Sequence, residues 1–166
     1  MIAQDTYKEI IAENKLRVKR LNAEFDPITG KDAPGERELL HISDFALKDQ
    51  WVPKEMMHNT LVKNILKCGS IKKFIKEHPF EEDAPTYHEV EVMLRRLRHK
   101  YDFSHWAYMC IRIKAKKGGR IRFKLNYAQI QVFLECERLR KAGLPIDIII
   151  CKARQWGGST FSIFYQ

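Results

Sequence analysis

Apolar positions recur at near-helical spacing at the start of the chain. Tyr7, Ile10, Ile11, Val18 and Leu21 are separated by charges. That period predicts an amphipathic helix over 4–22, with Asp5 or Thr6 as its cap. From residue 23 the pattern breaks. Phe25-Asp26-Pro27-Ile28-Thr29-Gly30 and Pro34-Gly35 are turn chemistry, and His41 to Val52 carries scattered apolar residues with no clean period. The stretch 23–53 reads as an ordered meander with little regular structure. A helix is predicted over 54–66, after Pro53 and before Gly69, and Ser70 then caps a short helix over 71–77 that His78-Pro79 stops. Glu81-Glu82-Asp83 reads as an exposed loop. A further helix runs over 86–101 with Val90, Met93, Leu94 and Leu97 as its apolar stripe. Arg95, Arg96, Arg98, His99 and Lys100 crowd its last turns, where the helix dipole favours cations.

The period then shortens. Trp106, Tyr108, Cys110, Ile111 and Ile113, and after Lys117-Gly118-Gly119 the set Ile121, Phe123 and Leu125, alternate with polar or basic residues. Residues 104–126 read as a β-hairpin with a glycine turn, one side carrying Arg112, Lys114, Arg120, Arg122 and Lys124. Asn126-Tyr127-Ala128-Gln129 leads into a helix over 128–142, which Gly143 ends, and Ile146 to Cys151 reads as a short buried strand. The fold class is mixed α/β. A mainly helical region covers 1–103, and a second part, 104–166, holds the basic hairpin, a helix, a strand and a loop.

Composition narrows the picture. Of 166 residues, 45% are hydrophobic, enough to build a core. The net charge of +9 is uneven: the first fifty residues carry −2, the next fifty +3, and 101–166 carry +8. A polyanion or a phosphorylated ligand fits that excess, and so does a plain solvated basic face. Cys68, Cys110, Cys136 and Cys151 stand far apart and read as buried free thiols in a reducing compartment. No basic-then-apolar leader stands at the N-terminus, and no apolar run approaches the roughly 18 residues that span a bilayer. These features point to a soluble, intracellular protein without membrane contact.

The densest chemistry lies near the end. The apolar run Ile148-Ile149-Ile150-Cys151 leads into Lys152-Ala153-Arg154-Gln155-Trp156-Gly157-Gly158-Ser159-Thr160. Strand, glycine-rich loop, helix is the order of a phosphate-binding loop. Against G-x-x-x-x-G-K-[ST], with Gly157 as the second glycine, Ser159 takes the Mg²⁺-ligand slot. Gly158 stands where the lysine belongs, and Lys152 where the first glycine belongs. The chemistry requires an ammonium near the phosphates rather than a given slot, and Lys152 at the base of the loop has the reach to supply one. Gly157 and Gly158 keep the backbone open, and Arg154 adds a second cation.

This segment resembles the variant Walker A motif of tailed-phage terminase large subunits, the ATP-driven motors that package DNA into phage heads. An Arg inside the loop is usual in that family, and some members carry the loop lysine at its start. Leu125-Asn126-Tyr127-Ala128-Gln129, upstream, resembles the family's adenine-recognising glutamine segment; a side-chain amide both donates to and accepts from adenine. The likeness is sharp over about residues 122–164. It implies the start of a P-loop ATPase parallel sheet, with ATP and Mg²⁺ as cofactors. Lys152 and Arg154 would act on the phosphates as catalytic cations. Gly157 and Gly158 would give backbone contacts, Ser159 or alternatively Thr160 would hold Mg²⁺, and Gln129 would read adenine. The implied partners are double-stranded DNA, and in a full-length protein the terminase small subunit and portal, in the host-cell cytoplasm. Such motors also resemble one another in a Walker B strand, a coupling motif and a nuclease domain. Six residues follow Thr160 and none is acidic. The expectation is therefore an N-terminal fragment, inactive alone, whose loop strand lacks neighbours.

Two other readings stand beside it. One is a non-enzymatic nucleic-acid module, resting on aromatics interleaved with cations: Trp106, Tyr108, Arg112, Arg122 and Phe123. The other is a different P-loop motor, such as a helicase with a similar adenine glutamine. The histidines show no ligand spacing, and no carboxylate cluster offers a two-metal site.

Overall fold

The computed structural model describes residues 4–21, 24–77, 85–115, 118–151 and 157–165. They fall into two units, one spanning 25–124 and the other joining 1–24 to 125–166. The first therefore contains the 103/104 boundary expected from sequence.

Residues 25–124 begin with a hairpin where little regular structure is expected. β1 (Arg37–His41) pairs antiparallel with β2 (Asp49–Pro53), Leu39 opposite Trp51 and Leu40 opposite Gln50. The two-residue period is hidden because the hairpin's faces are chemically mixed. Leu40 and Val52 are buried but so is Gln50, while Leu39 and Trp51 are exposed. Gln50 is tolerated inside because its amide is bonded: Nε2 donates to the Leu47 carbonyl at 2.9 Å, and Oε1 accepts from Arg98. The preceding loop lies against β2, with the Trp51 N–H donating to the Thr29 carbonyl at 2.7 Å. Gly30 makes that approach possible. Its φ is 78°, and a Cβ there would stand 2.0 Å from the Trp51 carbonyl oxygen.

The predicted helix over 54–66 is two helices, α2 (Lys54–Met57) and α3 (Thr60–Cys68). Asn59 restarts the chain as an N-cap, its side chain accepting from the Leu61 N–H at 3.0 Å. α4 (Ile71–Glu77) is capped as expected by Ser70, and also by Asp44 from a distant loop, which accepts from the Ile71 and Lys72 N–H groups. α5 (Tyr87–Tyr101) opens with a capping box between Thr86 and Glu89. Val62, Ile65, Ile71, Phe74, Val90 and Leu94 close a core with Leu40, Val52 and Met56.

The expected hairpin over 104–126 is half right. Its first half is a helix, α6 (Phe103–Cys110); only β3 (Arg112–Lys114) and β4 (Arg120–Arg122) pair. The Asp102 side chain accepts from the His105 N–H at 3.1 Å and starts α6. The alternation of Trp106, Tyr108 and Cys110 is set aside by this cap.

In the other unit α1 (Gln4–Leu21) leaves Tyr7, Ile10 and Val18 exposed. α7 (Tyr127–Lys141) and α8 (Gly158–Phe164) frame the segment 144–151. The strand predicted over Ile146 to Cys151 does not form, and Ile149 is 96% exposed. Among the described residues both sheets are two-stranded and antiparallel, so no partner offers this run a ladder, and a strand without one leaves its backbone unpaired. The expected parallel sheet is thus not present among them. Three cysteines also depart from expectation, Cys68 being only half-buried. All four are free thiols, but Cys110 and Cys151 are exposed. No described helix is long and apolar enough to cross a membrane.

Candidate functional site

The residues singled out around the glycine-rich loop meet at the start of α8. Asn126 caps α7 by accepting from the Gln129 N–H at 3.0 Å, and Gln129 Oε1 accepts from the Asn126 N–H at 2.9 Å. This reciprocal box fixes the Gln129 rotamer. Its Nε2 then donates to the Gly157 carbonyl at 3.0 Å. Gly157 has a φ of 82°, and a Cβ there would lie 2.8 Å from Gln129 Nε2. A side chain at 157 would be strained and would also displace the amide.

The other end of α8 is tied to the same helix. The Tyr165 hydroxyl donates to Glu137 Oε1 at 2.5 Å, and its ring packs edge-on to Phe133 and stacked on Phe161. Burial and the Glu137 carboxylate push the Tyr165 hydroxyl well above its usual pKa. Both ties join residues 28 apart, Gln129 to Gly157 and Glu137 to Tyr165. Equal separation means that α7 and α8 run parallel and in register over about 12 Å, eight residues at 1.5 Å each.

The other predicted residues are placed as follows. Gly158 is buried, Ser159 is exposed and Thr160 is half-buried. Lys152 and Arg154 lie outside the described residues. Gln129 suits adenine less well in this arrangement. It is buried and half of its amide capacity is bonded within the chain, leaving one N–H and one lone pair. Among the described residues no group of three His, Cys, Asp or Glu side chains is placed to hold a metal ion.

A second cluster is the short hairpin of residues 112–122. Arg112 stands opposite Arg122 and Lys114 opposite Arg120, all exposed. Like charges directly across a strand pair repel, and no ion pair with a described carboxylate offsets them. Arg122 lies 5.2 Å from the centre of the Tyr108 ring and donates to the Met109 sulfur, which holds it against α6. Phe123 is buried and offers no stacking surface.

A third cluster was hidden from sequence reasoning. Asp102, at the corner between α5 and α6, receives two hydrogen bonds of 2.8 Å from Arg37 and one of 2.8 Å from Ser104. Burial alone would raise its pKa, but the bonds and charge of Arg37, with the charge of Arg98, hold it below the usual carboxylate value. Arg98 is not on the solvated basic turn that the sequence suggests. It is 5% exposed, and burial lowers its pKa. The signal was its spacing: Val90, Leu94 and Arg98 stand four apart, which puts Arg98 on the apolar stripe. His105 Nδ1 donates to the Pro27 carbonyl at 2.8 Å, and burial, with the nearby Arg98 charge, lowers its pKa to about 4. A neutral ring with its proton on Nδ1 is the form that satisfies this contact.

No family model, no curated protein and no solved structure matches this chain significantly.

Proposed function

We propose that residues 125–165 are the adenine- and phosphate-binding front of an ATPase of the terminase large-subunit type, acting on double-stranded DNA. The observation that carries the reading is the hydrogen bond from Gln129 to Gly157. It joins two segments, 28 residues apart, that resemble the family's adenine and phosphate motifs. In this reading Lys152 and Arg154 face the phosphates, Ser159 or Thr160 holds Mg²⁺, and Gln129 turns from Gly157 to adenine when nucleotide enters. ATP with Mg²⁺ supplies the energy of packaging. This chain's own residues bind and orient it, and the acids that activate water belong to further parts of such a motor, as do the small-subunit and portal contacts.

The test is binding of a fluorescent ATP analogue with Mg²⁺ to the 166-residue chain. Saturable binding that Lys152→Ala and Gln129→Ala each weaken by about tenfold or more supports the reading, a loss of the size expected for a charge-assisted contact. No nucleotide binding, together with DNA binding that ignores both substitutions, overturns it.

The second reading, a nucleic-acid module without ATP, is favoured by the opposed cations of the 112–122 hairpin. Phosphates between the two strands would relieve their repulsion. It expects DNA affinity that falls steeply with salt, with a slope reduced by about one for each of Arg112, Lys114 and Arg120 removed.

A further inference from the structure

A cavity of about 360 Å³ lies inside the 25–124 unit, lined by residues of β1, β2, α2, α5 and α6. Its size is within the roughly 300–1,000 Å³ of small-molecule sites. Leu40, Ile42, Phe45, Met56 and Leu94 make its walls largely apolar. Most polar groups on the lining are already engaged. Arg95 pairs with Glu91 at 2.9 Å, and Gln50 is bonded to Leu47 and Arg98. The Arg98 charge is met by Asp102 and Asp26, and its Nε and Nη2 are buried. This lining therefore calls for no anion.

Two histidines differ from the rest. His99 and His105 both line the cavity, their ring centres 5.5 Å apart. His105 carries its proton on Nδ1, which donates to the Pro27 carbonyl, so Nε2 is a bare lone pair. Burial, and after it the Arg98 charge, holds both rings below the usual histidine pKa, so both are neutral at ordinary pH. Among the described residues, His105 Nε2 and both ring nitrogens of His99 have no hydrogen-bond partner, and all three keep open surface. Those nitrogens decide what can enter. A bare lone pair needs a donor. A carboxylate brings none, and an ammonium would meet the same Arg98 charge that opposes protonation of the rings. A hydroxyl is neutral and both donates and accepts, so it can give its proton to His105 and take one from His99. Apolar walls favour hydrocarbon in the rest of the ligand.

We propose that this cavity binds a neutral apolar molecule carrying one hydroxyl, whose O–H donates to His105 Nε2. The site lies wholly within residues 25–124 and does not depend on the ATPase reading.

The probes are 4-propylphenol and its methyl ether 4-propylanisole, which keeps the oxygen and loses the donor. Each is titrated into the full chain carrying ¹³C-methyl methionine and ¹⁵N-histidine. Met56 and Met109 line the cavity; Met93 does not, and serves as the control. The phenol should shift Met56 and Met109 saturably and leave Met93 in place. It should bind at least about fivefold more tightly than the ether, the size of one hydrogen bond. It should also move the His105 Nε2 resonance away from the position of a bare ring nitrogen, which the ether leaves unchanged. His105→Phe removes the acceptor and should bring the two probes to within about twofold of each other. A gap that survives in His105→Phe overturns the proposal, because the methyl group of the ether then accounts for it. Equal binding of phenol and ether by the native chain also overturns it, since water then serves the two rings. So does an absence of Met56 and Met109 shifts up to about 1 mM phenol, or an unmoved His105 Nε2 at saturation. These last three outcomes use the native chain and stand even if His105→Phe fails to fold.

Discussion

The units 25–124 and 1–24 with 125–166 treat their apolar residues in opposite ways. In the first, Val52, Val62, Ile65 and Ile71 are fully enclosed, and even an ion group sits inside. In the second, Phe133, Cys136 and Phe161 are buried, yet Tyr7, Ile10 and Val18 along α1 and Ile149 beyond α7 face outward. Hydrophobicity does not explain the difference, because Ile146 to Cys151 is among the most apolar runs in the chain. For the run 146–151 backbone pairing does. β1 has β2 beside it, and the helices of the larger unit have Asn59, Ser70, Asp44 and Thr86 at their ends. The run 146–151 has no described strand beside it. An apolar segment is buried only where its peptide groups also find partners.

Removing the carboxylate at the corner should have the largest effect on that contrast. Asp102→Ala leaves Arg37 and Arg98 buried without their counter-charge and should cost about 3–5 kcal/mol. Urea unfolding followed by the fluorescence of Trp51 and Trp106 reads it; a cost below about 1 kcal/mol would mean that the cluster does not hold this unit together. Ile65→Ala should cost about 2–5 kcal/mol through the cavity it opens. Ile149→Ala, at the far end of the scale, should stay within about 0.5 kcal/mol. Similar costs at the two isoleucines would break the comparison.

Acid should act on the larger unit first. His105 titrates near 4 when folded against an ordinary 6.5. Between those values the unfolded chain takes up a proton that the folded ring refuses. Stability therefore falls as pH drops through that window, by at most about 1.4 kcal/mol per unit for one proton. Asp102, held below its ordinary value, adds its loss only as pH falls below about 4. Urea midpoints at several pH values should show both phases, and His105→Gln should shrink the upper one, the remainder belonging to His99, whose pKa burial and the Arg98 charge also lower.

The smaller unit should respond to Gln129→Ala, which breaks the box and the Gly157 bond for about 1 kcal/mol. Hydrogen exchange at the Phe161 and Tyr165 amides should speed up several-fold while Ile65 is unaffected. Unchanged exchange would mean that α8 is held from its Tyr165 end alone.

Much of this organisation was legible in the residues. The helices over 4–21, 71–77, 87–101 and 127–141 follow from periodicity, caps and breakers. What was hidden had a local cause each time. Gln50 turned inward and disguised a hairpin, and one capping carboxylate overrode the alternation of Trp106, Tyr108 and Cys110. Arg98 looked like one surface cation among several because a charge's burial depends on partners far away in sequence: Arg37 stands 65 residues from the Asp102 that it shares with Arg98. Around the glycine-rich loop, Gln129 and Gly157 were legible as residues of interest. The capping box that occupies Gln129 has its own signal in the sequence, Asn126 three positions earlier.

The equal 28-residue ties between α7 and α8 bear on how such a chain tolerates insertions and deletions. Lengthening the connector between the helices changes both separations by the same amount, so the pair can stay matched. Adding one residue between Gln129 and Glu137 turns one tie by about 100° relative to the other, and the two can no longer close together. Gaps among descendants of this sequence should therefore collect in 142–156 and avoid 129–137.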